Sequence, residues 1–138
     1  MSAFDNASRV FHACESSKGW GACREYVEPG ASFECQAEPL AEVETVEGYA
    51  EWMAGVPVWM PDARYDLQTS AWDADSRAAM FFATFHGHHT GEGGPVPPTN
   101  REMRSHYVFV IFMNGDNRVE RICKTWNAAW AMKQLGWV

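Results

Sequence analysis

A chain of 138 residues with 46% hydrophobic and 21% charged content has the size of one domain, here residues 1–138, and is too apolar to be disordered. Eleven basic against eighteen acidic side chains leave a formal charge of −7, which argues against a phosphate-neutralising surface and so against a nucleic-acid partner. No apolar run has the length of a membrane span, no basic-then-apolar leader opens the sequence, and Cys14, Cys23, Cys35 and Cys123 lack paired short spacing, so a cytoplasmic protein with four reduced thiols and no membrane partner is expected.

Ala7, Val10, Phe11 and Cys14 recur at helical spacing and predict a first helix. Trp20, Cys23, Tyr26 and Val27 predict a short second one closed by Pro29-Gly30, followed by a short strand over 31–36. Thr45 reads as the N-cap of a third helix, with the stripe Tyr49, Trp52, Met53 and Val56, stopped or bent by Pro57 and Pro61. Alternating patterns then predict strands over 64–72, 77–86, 104–113 and 118–126. The last two are joined by the turn Asn114-Gly115-Asp116-Asn117, and a helical segment over 127–135 ends before Gly136. Helices first and meandering antiparallel strands afterwards indicate an α+β fold, a curved sheet whose leading helices enclose a cone-shaped interior. Seven Trp and eight Phe supply core and, in part, the walls of an apolar cavity.

The stretch from Gly87 to Arg101 reads as a Gly/Pro-rich loop between two strands, with His86, His88 and His89 at its start. It lacks the Lys-Ser/Thr ending of a phosphate cradle, so its expected job is a tight turn or a flap over a pocket mouth. Only His86 and His88 share a strand face, and the available acidic residues are Glu92 and Glu102 in the loop, so no metal is expected. Setting Asn114 opposite Asn117 places His106 opposite Thr125, Val108 opposite Cys123, and Arg104 near Asn127, all on one face that is more polar at its open end. His106, inside an apolar strand, is a candidate base, or else a buried histidine bonded to Thr125 or a carbonyl. Asp62 is a candidate carboxylate, or else a cap at the entrance to a strand. Cys123 beside His106 is a candidate nucleophile, or else a small core residue. Trp20, Tyr26, Trp52 and Trp59 line the cavity or are plain core.

Met60-Pro61-Asp62 ahead of a strand, Gly87-His88-His89-Thr90-Gly91, Pro97-Pro98-Thr99-Asn100-Arg101 and the closing Gln134-Leu135-Gly136 together resemble the SnoaL-like polyketide cyclase family of the nuclear transport factor 2-like superfamily, over about residues 20–136. The resemblance implies three N-terminal helices packed on the concave face of a curved antiparallel sheet (a nuclear transport factor 2-like, cystatin-like cone), often dimeric through the sheet's outer face, and His89 as a structural loop histidine. It also implies an acid/base carboxylate seven residues before the closing Gln-Leu-Gly. That position is Asn127, an amide that can donate to an enolate oxygen but cannot exchange protons near neutral pH.

Three functions stand as expectations. The first is a cyclase, isomerase or dehydratase acting without metal or organic cofactor on a hydrophobic carbonyl compound, as a homodimer. Its catalytic residues would be His106, Asn127 and Asp62, with Tyr107 or Arg104 steadying negative charge, and its pocket residues Trp20, Tyr26, Trp52, Trp59, Met60, His86, Arg104, Val108, Cys123 and Thr125. The second is a non-catalytic domain that holds an apolar small molecule in the same cavity. The third is an interface module whose interior is filled by Trp and Phe.

Overall fold

Residues 2–138 are described by a computed structural model. Helix α1 (Ala3–Glu15) starts at a capping box: Ser2 accepts from the Asp5 amide and Asp5 reaches back to the Ser2 amide, satisfying two end donors. Its predicted stripe, Ala7, Val10, Phe11 and Cys14, is fully buried. The expected second helix is instead two 3₁₀ turns, Trp20–Ala22 and Arg24–Tyr26, since a stripe this brief cannot carry the cost of α-helix nucleation. Strand β1 (Val27–Cys35) then runs through Pro29-Gly30 rather than stopping there. Pro29 falls where the strand pairing is irregular, and Gly30 supplies the φ of 75° that the irregularity needs.

Helix α2 (Val46–Ala54) is capped by Thr45, whose Oγ1 accepts from the Gly48 amide at 3.0 Å. Gly55 and Pro57 redirect the chain into the single turn α3 (Val56–Trp59). Strands β2 (Arg64–Asp73), β3 (Ala78–His88), β4 (Glu102–Met113) and β5 (Val119–Trp126) follow the predicted spans closely. Helix α4 (Ala128–Leu135) closes on Gly136, which takes the left-handed φ of 77°. No helix among the described residues is long and apolar enough to cross a membrane.

The sheet order is β1-β5-β4-β3-β2. Strands β2 to β5 form the expected antiparallel meander, but β1 pairs with β5 in parallel, so the sheet is mixed, not antiparallel throughout. The core lies between the sheet and helices α1 and α2: Phe11 stacks on Phe81 at 4.5 Å and meets Phe109 edge-on at 5.2 Å, while Phe33 stacks on Tyr49 at 4.4 Å.

The β4–β5 register differs from the expected one. Val108 faces Thr125 and Val110 faces Cys123: the turn closes between Asn114 and Arg118, one residue later than expected, and the irregularity beside Met113 adds a second position. A slip of two keeps every side chain on its face. The predicted group of Arg104, His106, Val108, Cys123 and Thr125 therefore does share one side, but the helices cover the other. Tyr107, Phe109, Ile111 and Met113 are the buried set on β4, with Ile122 and Lys124 on β5.

Candidate functional site

Three polar side chains come together beneath the helices. Glu15 ends the buried stripe of α1, Tyr49 lies on the inner face of α2, and Lys124 points inward from β5 between Ile122 and Trp126. Glu15 is 2% exposed and Lys124 6%. Lys124 Nζ donates to Tyr49 Oη at 3.1 Å, and Tyr49 donates to Glu15 Oε2 at 2.7 Å. The ammonium also sits over four aromatic faces, with ring centroids of Tyr107 and Trp126 at 4.9 Å, Tyr49 at 5.0 Å and Phe109 at 5.6 Å.

Burial pushes both charges toward neutrality. Desolvation raises the Glu15 carboxyl, against the pull of the Lys124 charge and the Tyr49 and Tyr107 hydroxyls. Desolvation likewise lowers the Lys124 amine, against the charge of Glu15. Tyr49 links the two, so its hydroxyl can pass a proton from Lys124 to Glu15 and leave both neutral. Desolvation and the neighbouring Glu15 charge keep the Tyr107 hydroxyl protonated. That hydroxyl and Glu15 Oε1 are buried and make no full hydrogen bond among the described residues, and Glu15 is the polar neighbour with which the hydroxyl interacts.

Lys124 and Tyr107 line an apolar void of about 40 Å³, with Trp52, Met53, Val56, Trp59, Met60, Phe85, Met103 and Trp126. A second void of about 50 Å³ shares Trp52, Trp59, Met103 and Trp126 with the first and adds Pro39, α4 and Trp137. Each is far smaller than the several hundred Å³ of an ordinary ligand site (about 300–1,000 Å³). The open chamber expected from the sequence is thus closed down by its own tryptophans. A larger space, an open cleft of about 530 Å³, lies where β1 and β5 end, lined by residues 34–37 and 123–128. Lys124 and Trp126 line both the cleft and the first void.

Neither a protein-family model nor a curated protein sequence matches the chain. Solved structures do. IdmH, a candidate polyketide cyclase from Streptomyces antibioticus, superposes with a TM-score of 0.78 at 18% identity, covering 99% of both chains. A candidate SnoaL-like polyketide cyclase from Jannaschia sp. CCS1 gives 0.73 at 18%, covering 94% of this chain and 90% of its own. The chain has the SnoaL-like fold. A candidate isomerase from Bacillus subtilis shares it as well, at 0.73 and 20% identity, covering 99% of this chain and 96% of its own.

On this SnoaL-like frame the sequence-derived site separates into parts. His106 is exposed on the face away from the helices, beside Phe82, and does not reach the interior. Both strand faces here are rich in apolar residues, so alternation could not say which one is covered. Arg104 and Val108 share that outer side; the Arg104 amide donates to Gln134 Oε1. His86 is buried there, donating to Asp66 at 2.8 Å.

Asp62 is spent on His88: it accepts from the His88 amide and from its ring, each at 2.7 Å. Slight burial works against ionisation there, but those bonds outweigh it and hold the carboxyl below its usual range. Asn127 caps α4, its Oδ1 accepting from the Trp130 amide at 3.1 Å, and it borders the open cleft with Cys123 and Thr125. Trp52, Trp59 and Met60 do line the inner void. Trp20 and Tyr26 pack on the core from the 3₁₀ turns, and Tyr26 lies under Arg9, 5.6 Å from ring to guanidinium carbon.

His89 is fully buried, and its Nδ1 accepts from Trp137 Nε1 at 3.0 Å, pinning the long loop to the C-terminal segment. Cys14, Cys23, Cys35 and Cys123 are free thiols. No cluster of three His, Cys, Asp or Glu side chains suited to a metal occurs among the described residues. The sequence pattern pointed to neither Glu15 nor Lys124, and it showed Tyr49 only as part of the apolar stripe of α2.

Proposed function

We propose that this protein moves protons on a hydrophobic carbonyl compound, the chemistry of isomerases, cyclases and dehydratases, using only its own side chains. One observation carries the reading: a buried amine whose basicity is lowered by desolvation and a buried phenol, Lys124 and Tyr107, line the same apolar void. In its neutral form Lys124 takes the proton next to the carbonyl, having passed its own proton through Tyr49 to Glu15. Tyr107 donates to the oxygen that becomes negative. The substrate comes from the open cleft past Trp126, which Ser105 holds through its indole N–H, and displaces the methionine side chains of the void, which have the conformational freedom to repack.

The experiment is deuterium uptake at the α-carbon of hydrophobic ketones in D₂O, followed by NMR. Wild type is expected to catalyse uptake, and Tyr107→Phe to lower the rate by about 100-fold, the effect of losing one oxyanion donor. A second reading, a binding domain without catalysis, is favoured by Asn127, which is committed to capping α4. It gains the case if ketones raise the melting temperature and none exchanges.

The outer sheet face supports a homodimer. Met80 and Phe82 are more than a third exposed there, beside half-buried Val108, Val110 and Phe112. Phe82→Glu is expected to convert a dimer to a monomer in sedimentation velocity; a wild-type monomer removes the idea. The four free thiols fit a reducing compartment such as the cytoplasm.

A further inference from the structure

We infer that Lys124 is a Schiff-base amine, which binds an aldehyde or unhindered ketone covalently through Nζ at the edge of the tryptophan-walled void. The inference rests on the proton-transfer reading of this site and names how the carbonyl is held.

Three observations support it. The first is a mismatch of donors. An ammonium has three N–H groups, and among the described residues Nζ makes one hydrogen bond, to Tyr49. A protonated imine has one N–H, which that single acceptor satisfies. The second is the aromatic box. Its four ring faces favour a cation that spreads its charge and is weakly hydrated, and an iminium is such a cation while an ammonium is strongly hydrated. The third is the acid behind the amine. Tyr49 connects Nζ to Glu15, so the proton that must leave before attack has a place to go.

The step balances with these groups alone. Lys124 hands a proton through Tyr49 to Glu15 and becomes a neutral amine. Its lone pair forms the C–N bond while the carbonyl π pair moves to oxygen, and a proton shift from nitrogen to that oxygen gives the carbinolamine. Glu15 returns its proton, through Tyr107 beside it, to the hydroxyl, which leaves as water as the C=N bond forms. Glu15 is again a carboxylate, Lys124 is an iminium, and one water has been released. With Lys124 now the imine nitrogen, the α-proton of the iminium passes through Tyr107 to the Glu15 carboxylate and leaves a neutral enamine, so the substrate class widens to carbonyl compounds that form or break carbon–carbon bonds by aldol chemistry.

The chain has three lysines, Lys18, Lys124 and Lys133, which makes the test simple to read. Wild-type protein is treated near neutral pH with propanal and sodium cyanoborohydride, and the alkylated residue is located by peptide mapping. Ordinary lysines are almost wholly protonated there, and each pH-unit drop in an amine's pKa gives about tenfold more free base. Labelling of Lys124 ahead of Lys18 and Lys133 is the expected result. Label on Lys18 and Lys133 with Lys124 untouched overturns the inference, and no variant has to fold for this to be decided. If ketone α-protons still exchange in that case, the proton-transfer reading stands without the covalent bond; if they do not, both are overturned.

Discussion

Lys124→Met and Glu15→Gln should give stability–pH profiles of opposite slope, and the double variant a flat one. Removing one member of a buried ion pair leaves its partner uncompensated and costs about 3–5 kcal/mol, whereas replacing both by neutral groups of similar size is often neutral or stabilising. In Lys124→Met, Glu15 has lost the cation that pulled against desolvation, so it stays protonated in the folded state above its unfolded pKa of about 4.3. The folded state then binds one more proton than the unfolded state, and stability falls by about 1.4 kcal/mol per pH unit as pH rises through that window.

Glu15→Gln behaves the other way. Lys124, already lowered by burial, loses its counter-ion and is neutral when folded but an ammonium when unfolded, up to about pH 10.4. The unfolded state now binds the extra proton, so stability rises with pH from the lowered folded pKa upward. Urea midpoints across about pH 5 to 9 measure both slopes. Equal slopes in the two single variants would show that Glu15 and Lys124 do not compensate each other.

The fold was more legible than the site, for physical reasons that particular residues make plain. Periodicity reports burial, so Ala7, Val10, Phe11 and Cys14 announced α1, and Thr45 announced the start of α2 through its cap. Pairing across distance is not written in periodicity. Nothing in residues 27–35 says that this strand lies parallel to β5. On β4 the even positions (Val108, Val110, Phe112) are nearly as apolar as the odd ones, so the covered face could not be chosen from the pattern, and His106 was placed on the wrong side. The charged pair did leave a signal. Glu15 follows Phe11 by four residues on the buried stripe, and Lys124 alternates in step with Ile122 and Trp126. Two opposite charges at positions where the pattern demands apolar residues mark a partnership across the core. Asn127 drew attention through the family carboxylate position, yet its position just ahead of a helix already fits an N-cap, which is its role here.

Gly91→Ala is expected to cost about 3 kcal/mol and to lower the melting temperature by roughly 10 °C. A β-carbon at Gly91 would lie 2.3 Å from the Val58 carbonyl oxygen and 3.0 Å from the Trp59 Cα, contacts with backbone that no rotamer change can relieve. The loop has to move away, which breaks the hydrogen bond from the Gly91 amide to the Trp59 carbonyl, 3.0 Å long. That bond is one side of a small assembly. Trp59 meets His89 edge-on at 5.6 Å and Trp137 at 4.9 Å, and Trp137 donates to His89, so lifting Gly91 loosens all three rings. Gly21→Ala is the control: its β-carbon would meet nothing within 4 Å, and the change should stay within about 0.5 kcal/mol. Thermal unfolding of the two variants side by side measures the difference, and a Gly91→Ala protein as stable as Gly21→Ala would show that the loop does not bear on α3 this closely. The same substitution reports on the chamber. Trp59 lines both voids, so a loosened Trp59 should admit hydrophobic ketones faster while the Lys124, Tyr49 and Glu15 cluster below stays in place.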